Sequence, residues 1–165
     1  IPTAPPDTYI VSAAPISSTK TVAVGNNAVA AVFENGIWKT IVVPSDIRSM
    51  LTSVSGAGGK AWIAGHKGVV LYYDGENLTR AAVNGGALPS DVLLKVVAYT
   101  APTGDINAFV GGGNGTILKC LEKPTPSCSI EKSGAAAVQL LSGALIQETR
   151  IMMCGSNGVC LIKQI

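Results

Sequence analysis

Four short turns of one kind recur along this chain at nearly even intervals. They read Gly25-Asn26-Asn27-Ala28, Gly65-His66-Lys67-Gly68, Gly112-Gly113-Asn114-Gly115 and Gly155-Ser156-Asn157-Gly158, each between short apolar runs. The first glycines are spaced by 40, 47 and 43 residues. The best-formed unit is Ala61 to Val83, AWIAGHKGVVLYYDGENLTRAAV. It reads as three strands: Ala61 to Ala64, Val69 to Tyr73, and a return from Asn77 to Val83. Asp74-Gly75 is read as a two-residue hairpin turn, because a type I′ turn needs positive φ at both central residues. Asn35-Gly36 stands at the same place in the first unit, and Pro44-Ser45-Asp46-Ile47 returns as Pro89-Ser90-Asp91-Val92. A period of about 40–45 residues with several short strands per unit is the sequence mark of a β-propeller blade. The expected fold is all-β.

Within this frame residues 1–8, which carry three prolines, form an arm or linker, since proline cannot pair along a central strand. Blades are expected at about 9–43, 46–83, 92–132 and 137–165. The first three have four strands each, with Leu78 to Val83 as the outer strand of the second. The fourth has three: Val138 to Leu145, Arg150 to Cys154 and Val159 to Lys163. Leu88 to Tyr99 and Ala135 to Ile146 also carry helical apolar spacing, but their length, flanking glycines and the repeat favour strands. A missing outer strand leaves an unpaired edge, which is a template for another chain. Either a small ring closes imperfectly on itself, or the blades belong to a larger ring completed by another polypeptide. The second reading is favoured.

The 165 residues suffice for one domain with a real core. Charged residues make up 13% and glycines number 19, which suits a turn-rich β protein. No apolar run approaches 18 residues, so no membrane-spanning helix is expected. A net charge of +2 without a Lys/Arg cluster argues against nucleic acid. The chain begins with Ile1 and shows no signal-peptide pattern, which reads as a processed chain or a piece of a longer one.

All four cysteines fall in the last 46 residues. Four cysteines allow three connectivities, of which the local one, Cys120–Cys128 and Cys154–Cys160, is geometrically easy across facing strands. The spacing is not that of a zinc site. Disulfides imply an extracytoplasmic location: secreted, periplasmic or cell-surface. Asn77-Leu78-Thr79 and Asn114-Gly115-Thr116 are glycosylation acceptors if the source is eukaryotic.

The stretch Trp62-Ile63-Ala64-Gly65-His66-Lys67-Gly68-Val69-Val70-Leu71-Tyr72-Tyr73-Asp74-Gly75 resembles the repeat of secreted bacterial β-propellers related to the photosystem II assembly factor and BNR-type repeats. The first unit matches more weakly, with Ala28 in place of the second glycine, and the third and fourth lack Tyr-Asp-Gly. The resemblance implies an assembly factor or binding platform rather than a reaction, and a full ring of more than four blades. The sialidase Asp box, Ser-x-Asp-x-Gly-x-Thr-Trp, is absent, which disfavours a glycoside hydrolase.

Candidate chemistry is sparse. His66, the only histidine, has no nucleophile or orienting carboxylate near it in sequence and reads as a turn residue. Gly111 to Gly115 lacks the Lys-Ser/Thr and helix of a phosphate loop. Asp74, Glu76 and Asn77 do not continue as a calcium loop. Asp46 and Asp91 are expected to accept backbone N–H bonds where the chain crosses between blades; a carboxylate ring around a cation is the rival. Trp62 and Phe109 share a strand position and read as core, whereas Trp38, on an outer strand, is the candidate exposed contact. No catalytic residue, cofactor or metal is assigned. The reading is a non-enzymatic extracytoplasmic scaffold acting through protein–protein interaction: a protein partner or a second copy pairs at the open C-terminal edge. A surface filament, an adhesive complex and an assembly platform are settings for such a module. The alternative is a carbohydrate-binding, lectin-type propeller.

Overall fold

The computed structural model describes residues 7–85, 92–131 and 138–165. Among the described residues sixteen strands form four sheets, antiparallel but for one added strand, that follow one another along the chain. Blade 1 contains β1 (Ile10–Pro15), β2 (Lys20–Gly25), β3 (Ala30–Glu34) and β4 (Ile37–Thr40). Blade 2 contains β5 (Leu51–Ala57), β6 (Lys60–Gly65), β7 (Val70–Tyr73) and β8 (Leu78–Arg80). After β9 (Ala82–Asn84), blade 3 is built from β10 (Leu93–Thr100), β11 (Ile106–Gly112), β12 (Ile117–Leu121) and β13 (Ser127–Glu131). Blade 4 has β14 (Leu140–Ile146), β15 (Arg150–Gly155) and β16 (Cys160–Gln164). The segments with ambiguous helical spacing are strands where described, β10 and β14. Most of the Pro-rich arm, and Asp91 with it, lie outside the described residues.

The recurring turn has one physical cause in all four blades. Its first glycine lies against the backbone leading into the blade's innermost strand. A Cβ at Gly65 would stand 2.6 Å from the Met50 carbonyl oxygen and one at Gly112 2.9 Å from that of Val92. At Gly25 and Gly155 it would clash with the carbonyls of Tyr9 and Gln139. The next residue then donates its N–H to that same carbonyl: Asn26 to Tyr9, His66 to Met50, Gly113 to Val92, Ser156 to Gln139. A register shift sits at the matching point of each innermost strand, as at Leu51/Ser53 and Leu140/Ser142. One close approach, one hydrogen bond and one bulge thus tie the top of every blade.

Successive blades pack face to face through three apolar layers. Blades 1 and 2 enclose Val22, Val24, Val32, Ile63, Leu71 and Tyr73. Blades 2 and 3 enclose Trp62, Tyr72, Val110, Leu118, Cys120 and Cys128. The layer between blades 3 and 4 is smaller, with Tyr99, Phe109, Leu140, Ile151 and Met153. Inner-strand serines stitch these layers: Ser12 Oγ accepts from Val54 N–H at 3.2 Å, Ser53 Oγ from Val96 N–H at 3.1 Å. The innermost strands pack in the order β1, β5, β10, β14, and among the described residues β14 does not return to pack on β1. The blades form an open arc.

Two local expectations are corrected. The outer strand expected over Leu78 to Val83 is split. Leu78–Arg80 pairs with β7, Ala81 donates its N–H to Val70, and β9 then pairs parallel with β13, making blade 3 five-stranded. The two turns expected to match also differ. Asn35-Gly36 is a two-residue turn with φ of 52° and 79°, the type I′ signature. Asp74 to Asn77 is instead a four-residue loop in which Asp74 Oδ1 accepts the N–H groups of Glu76 (2.8 Å) and Asn77 (2.7 Å). These bonds hold the Asp74 carboxyl below its ordinary pKa, the Asn77 N–H contributing most.

Candidate functional site

Blade 2 shows what each position on a blade face is for. Trp62 and Ala64 on β6, with Val70 and Tyr72 beside them on β7, are buried against blade 3. Trp62 is fully buried, and its indole N–H donates to the Ile106 carbonyl at 2.6 Å. On the opposite face Ala61, Ile63, Leu71, Tyr73 and Leu78 are buried against blade 1. Phe109 holds the Trp62 position in blade 3 and is equally enclosed. Neither ring is available to stack on a sugar.

The end blades carry the same positions under different cover: Ala23 and Ala31 of blade 1 are buried, Phe33 and Trp38 are half-buried, and Ile162 of blade 4 is exposed. In blade 4, Ile151, Met153 and Leu161 pack toward blade 3, so the alternate residues Met152, Cys154, Cys160 and Ile162 point away from it. Counted from the turn glycine, these four match Trp62, Ala64, Val70 and Tyr72. Ile162 is 61% exposed where Tyr72 is 4% exposed. In blade 1, Val22, Val24 and Val32 pack toward blade 2, which turns Thr21, Ala23, Ala31 and Phe33 the other way. Trp38 lies across from Phe33, their rings 5.3 Å apart and tilted. Phe33 and Trp38 stand at the places of Tyr73 and Leu78, which inside the arc are covered by the preceding blade. Trp38 is half-buried, propped on Phe33 rather than projecting freely. The edge of β16 pairs with no strand among the described residues.

Both local disulfides are present, each joining directly opposed residues of an antiparallel pair, with Cα–Cα distances of 4.0 Å and 4.1 Å. Their settings differ. Cys120–Cys128 is buried in the layer that holds Trp62 and Tyr72, whereas Cys154–Cys160 lies on the outward face of blade 4. Sequence reasoning found the cysteines but not this difference, which depends on which neighbour each face has.

The other candidates are dispersed. Asp46 pairs with Arg80 Nη1 at 2.8 Å, tying the inter-blade link to β8 rather than accepting backbone N–H groups as expected. His66 is half-buried in its turn, with its carbonyl accepting from Ser49 Oγ. Asn77 and Asn114 are exposed in turns. Gly113–Gly115 is a single 3-10 turn. Among the described residues no group of His, Cys, Asp and Glu is arranged to hold a metal ion, and no helix is long and apolar enough to cross a membrane.

One buried carboxylate went unnoticed in the sequence. Glu122 follows β12 and accepts from Lys60 Nζ at 2.5 Å and from the Ile106 N–H at 2.6 Å. Burial opposes its charge, but Lys60 first and the Ile106 N–H second hold its carboxyl below the ordinary value. It ties the β5–β6 hairpin of blade 2 to blade 3 and is an interior fastening, not a reactive group.

No family model matches the sequence, and no curated protein does. Among solved structures the chain is similar to YCF48 from Cyanidioschyzon merolae, with a TM-score of 0.62 and 16% identity over 98% of this chain and 54% of that one. A structure described as YCF48 bound to D1 peptide aligns with a TM-score of 0.47 and 15% identity, over 94% of this chain and 65% of that one. The chain spans about half the length of the first of these. With the four sequential sheets, the likeness to YCF48 establishes the fold as a β-propeller.

Proposed function

We propose that this chain is a non-enzymatic assembly module, an arc of propeller blades that works by taking other protein against its two end faces and the free edge of β16. One observation carries the reading. Positions that are buried between blades inside the arc are left partly or largely exposed at both ends, at Phe33 and Trp38 in blade 1 and at Met152 and Ile162 in blade 4. Apolar side chains left open to solvent on a sheet face mark a protein-interaction site. Trp38 is the contact residue of the blade 1 face, since tryptophan is enriched among interface anchors. The two disulfides support an extracytoplasmic setting, where such bonds persist.

Purification of the chain from its source under native, non-reducing conditions tests this. The expected result is a complex that yields other protein chains beside this one when it is denatured. Recovery of the free chain alone would overturn the reading.

A further inference from the structure

We infer that the outer edge of blade 2 takes an extended segment of another protein, with a basic side chain at its leading end, into a slot between β8 and the link from blade 1. This site is separate from the end faces and does not depend on what covers them.

The molecule shows the same place twice, once filled and once open. Ile41, just after β4, donates its N–H to the Ala30 carbonyl, and Ala81, just after β8, donates to that of Val70; both acceptors lie five residues after the turn glycine. Val42, Val43 and Pro44 therefore correspond to Ala82, Val83 and Asn84 of β9. That strand goes on to pair parallel with β13, in the register Ser127↔Ala82, Cys128↔Val83 and Ser129↔Asn84. In the preceding blade Leu78 stands opposite Tyr73 as Cys128 stands opposite Cys120, and Tyr73 and Cys120 each lie eight residues after the turn glycine. The same register would thus set Val42, Val43 and Pro44 beside Asn77, Leu78 and Thr79. That ladder does not form, and β7 alone pairs with β8 among the described residues. Pro44 has no N–H to give where Asn84 has one. A slot of about 470 Å³ stands there instead. Buried Val32, Ile41, Tyr73 and Leu78 line it, beside Val42, which is 84% exposed.

The backbone of β8 is turned to receive a strand at this place. Ala81 donates its N–H to Val70 and Asp74 donates to the Asn77 carbonyl, so the hydrogen-bonded pairs with β7 fall at Asn77, Thr79 and Ala81. The N–H and C=O of Leu78 then point outward, as those of Cys128 do toward β9. Main-chain groups at such an edge are what an added strand pairs with. Charge selects the occupant. Glu34, Asp74 and Glu76 stand around the slot and the hollow next to it, against Lys20 and Lys39. Both lysines lie on Glu34, at 3.0 Å and 3.2 Å. Glu76, at the end where β8 begins, is exposed and makes no ion pair among the described residues. A strand lying parallel to β8, as β9 lies on β13, brings its first residue to Glu76, and a lysine or arginine there balances the charge.

The test selects a displayed library of random octapeptides on the immobilised full chain and then follows a recovered peptide by amide hydrogen exchange. Recovered peptides are expected to carry a lysine or arginine ahead of β-forming residues. In the free chain the Leu78 amide should exchange fast, while that of Cys128 is protected beneath β9. Added peptide should slow exchange at Leu78 and leave Cys128 unchanged. Glu76→Lys should weaken binding by about ten-fold or more, because it sets like charge against like, while the urea midpoint stays where it was. A Leu78 amide already protected in the free chain would overturn the inference, since a segment of the chain itself then fills the slot. So would a selection without binders, or binders that leave Leu78 exchange untouched. Acidic peptides indifferent to Glu76→Lys would overturn the assignment of a basic partner.

Discussion

The layer between blades 2 and 3 and the outer face of blade 4 are built on one template, yet they place different demands on their residues. Trp62 and Met152 stand three residues before the turn glycine of their blades, and Tyr72 and Ile162 pair beside them on the next strand. In the first case both rings are enclosed and the indole N–H finds a carbonyl; in the second the side chains are left in part to solvent. A propeller blade is a sheet with two apolar faces, and only a neighbour on each side satisfies both. Among the described residues the inner layers have such neighbours, and the outward face of blade 4 has none.

The contrast is broken most directly by truncating the aromatic rings on each side of it. Trp62→Ala should cost about 3–5 kcal/mol of stability, the range for a fully enclosed large side chain. The cavity would sit beside Tyr72, and the Ile106 carbonyl would lose its donor. Trp38→Ala, half-buried on the outward face of blade 1, should cost the separated chain about 1 kcal/mol or less, near the range of surface changes. Urea unfolding of both variants, measured under conditions where the chain is a monomer, checks this. Equal losses would mean that the blade 1 face is already covered within the chain.

The disulfides give the same comparison at smaller scale. Replacing Cys120 and Cys128 by alanine should destabilise by about 2–4 kcal/mol, the usual contribution of a cross-link, because the pair also fills the layer under Trp62. Replacing Cys154 and Cys160 should cost less, since the bond lies on an exposed face and closes a shorter loop. A graded reductant followed by thiol labelling reads the order. Cys154–Cys160 opens first in the folded chain, and Cys120–Cys128 opens only when blades 2 and 3 separate. Protection of Cys154–Cys160 in an assembled sample would place that face inside the interface.

Glu122 marks the inner layer in a way the end faces lack. Its carboxyl is held below the ordinary carboxylate value, so the folded state binds its proton less readily than the unfolded chain. The contribution is complete above the unfolded pKa, near 4.5, and is lost as the pH falls through the lower folded value. Glu122→Gln should remove about 1–2 kcal/mol at neutral pH, as expected for hydrogen bonds to a charged group. It should also flatten the stability profile below pH 4.5. A variant whose acid limb matches that of the wild type would show that the Lys60 fastening contributes nothing.

How much of this could be read from residues alone follows from the range of the forces involved. The turn glycines were legible because a single close approach of backbone to backbone excludes a Cβ at the same place in every blade. Trp62 and Phe109 were legible as core because the repeat puts them at one position. The departure of β9 was not legible, because Ala82 to Asn84 alternates like a continuation of β8 and only the distant Pro126 carbonyl and β13 draw it into blade 3. Asp74-Gly75 and Asn35-Gly36 look alike in sequence. The Asp74 carboxylate captures two N–H groups and lengthens its loop, a competition between side chain and backbone that a dipeptide signal does not carry. The exposure of Trp38 and Ile162 was hidden for a different reason. Each residue fits its blade, and what differs is that no blade packs beside it among the described residues.

The smallest expected effect lies in the turn where blade 1 departs from the repeat. The last position of the turn is glycine in three blades, with φ of 65° at Gly68, 68° at Gly115 and 69° at Gly158. Blade 1 places Ala28 there at φ 54°, next to Asn27 at 53°. An alanine in the left-handed region sets its Cβ too close to the following carbonyl, at a cost of about 1–2 kcal/mol that glycine does not incur. Glycine in turn loses more freedom on folding, which gives back part of the gain. Ala28→Gly should therefore stabilise the chain by about 0.5–1 kcal/mol, read as a rise in the urea midpoint at unchanged slope. The converse change, Gly68→Ala in blade 2, should destabilise by a similar or larger amount, because that turn also orders β6 against β7 beneath Trp62. If both substitutions prove neutral, the turns are relaxed by neighbours rather than fixed by their own backbone, and the difference between end and inner blades does not extend to their loops.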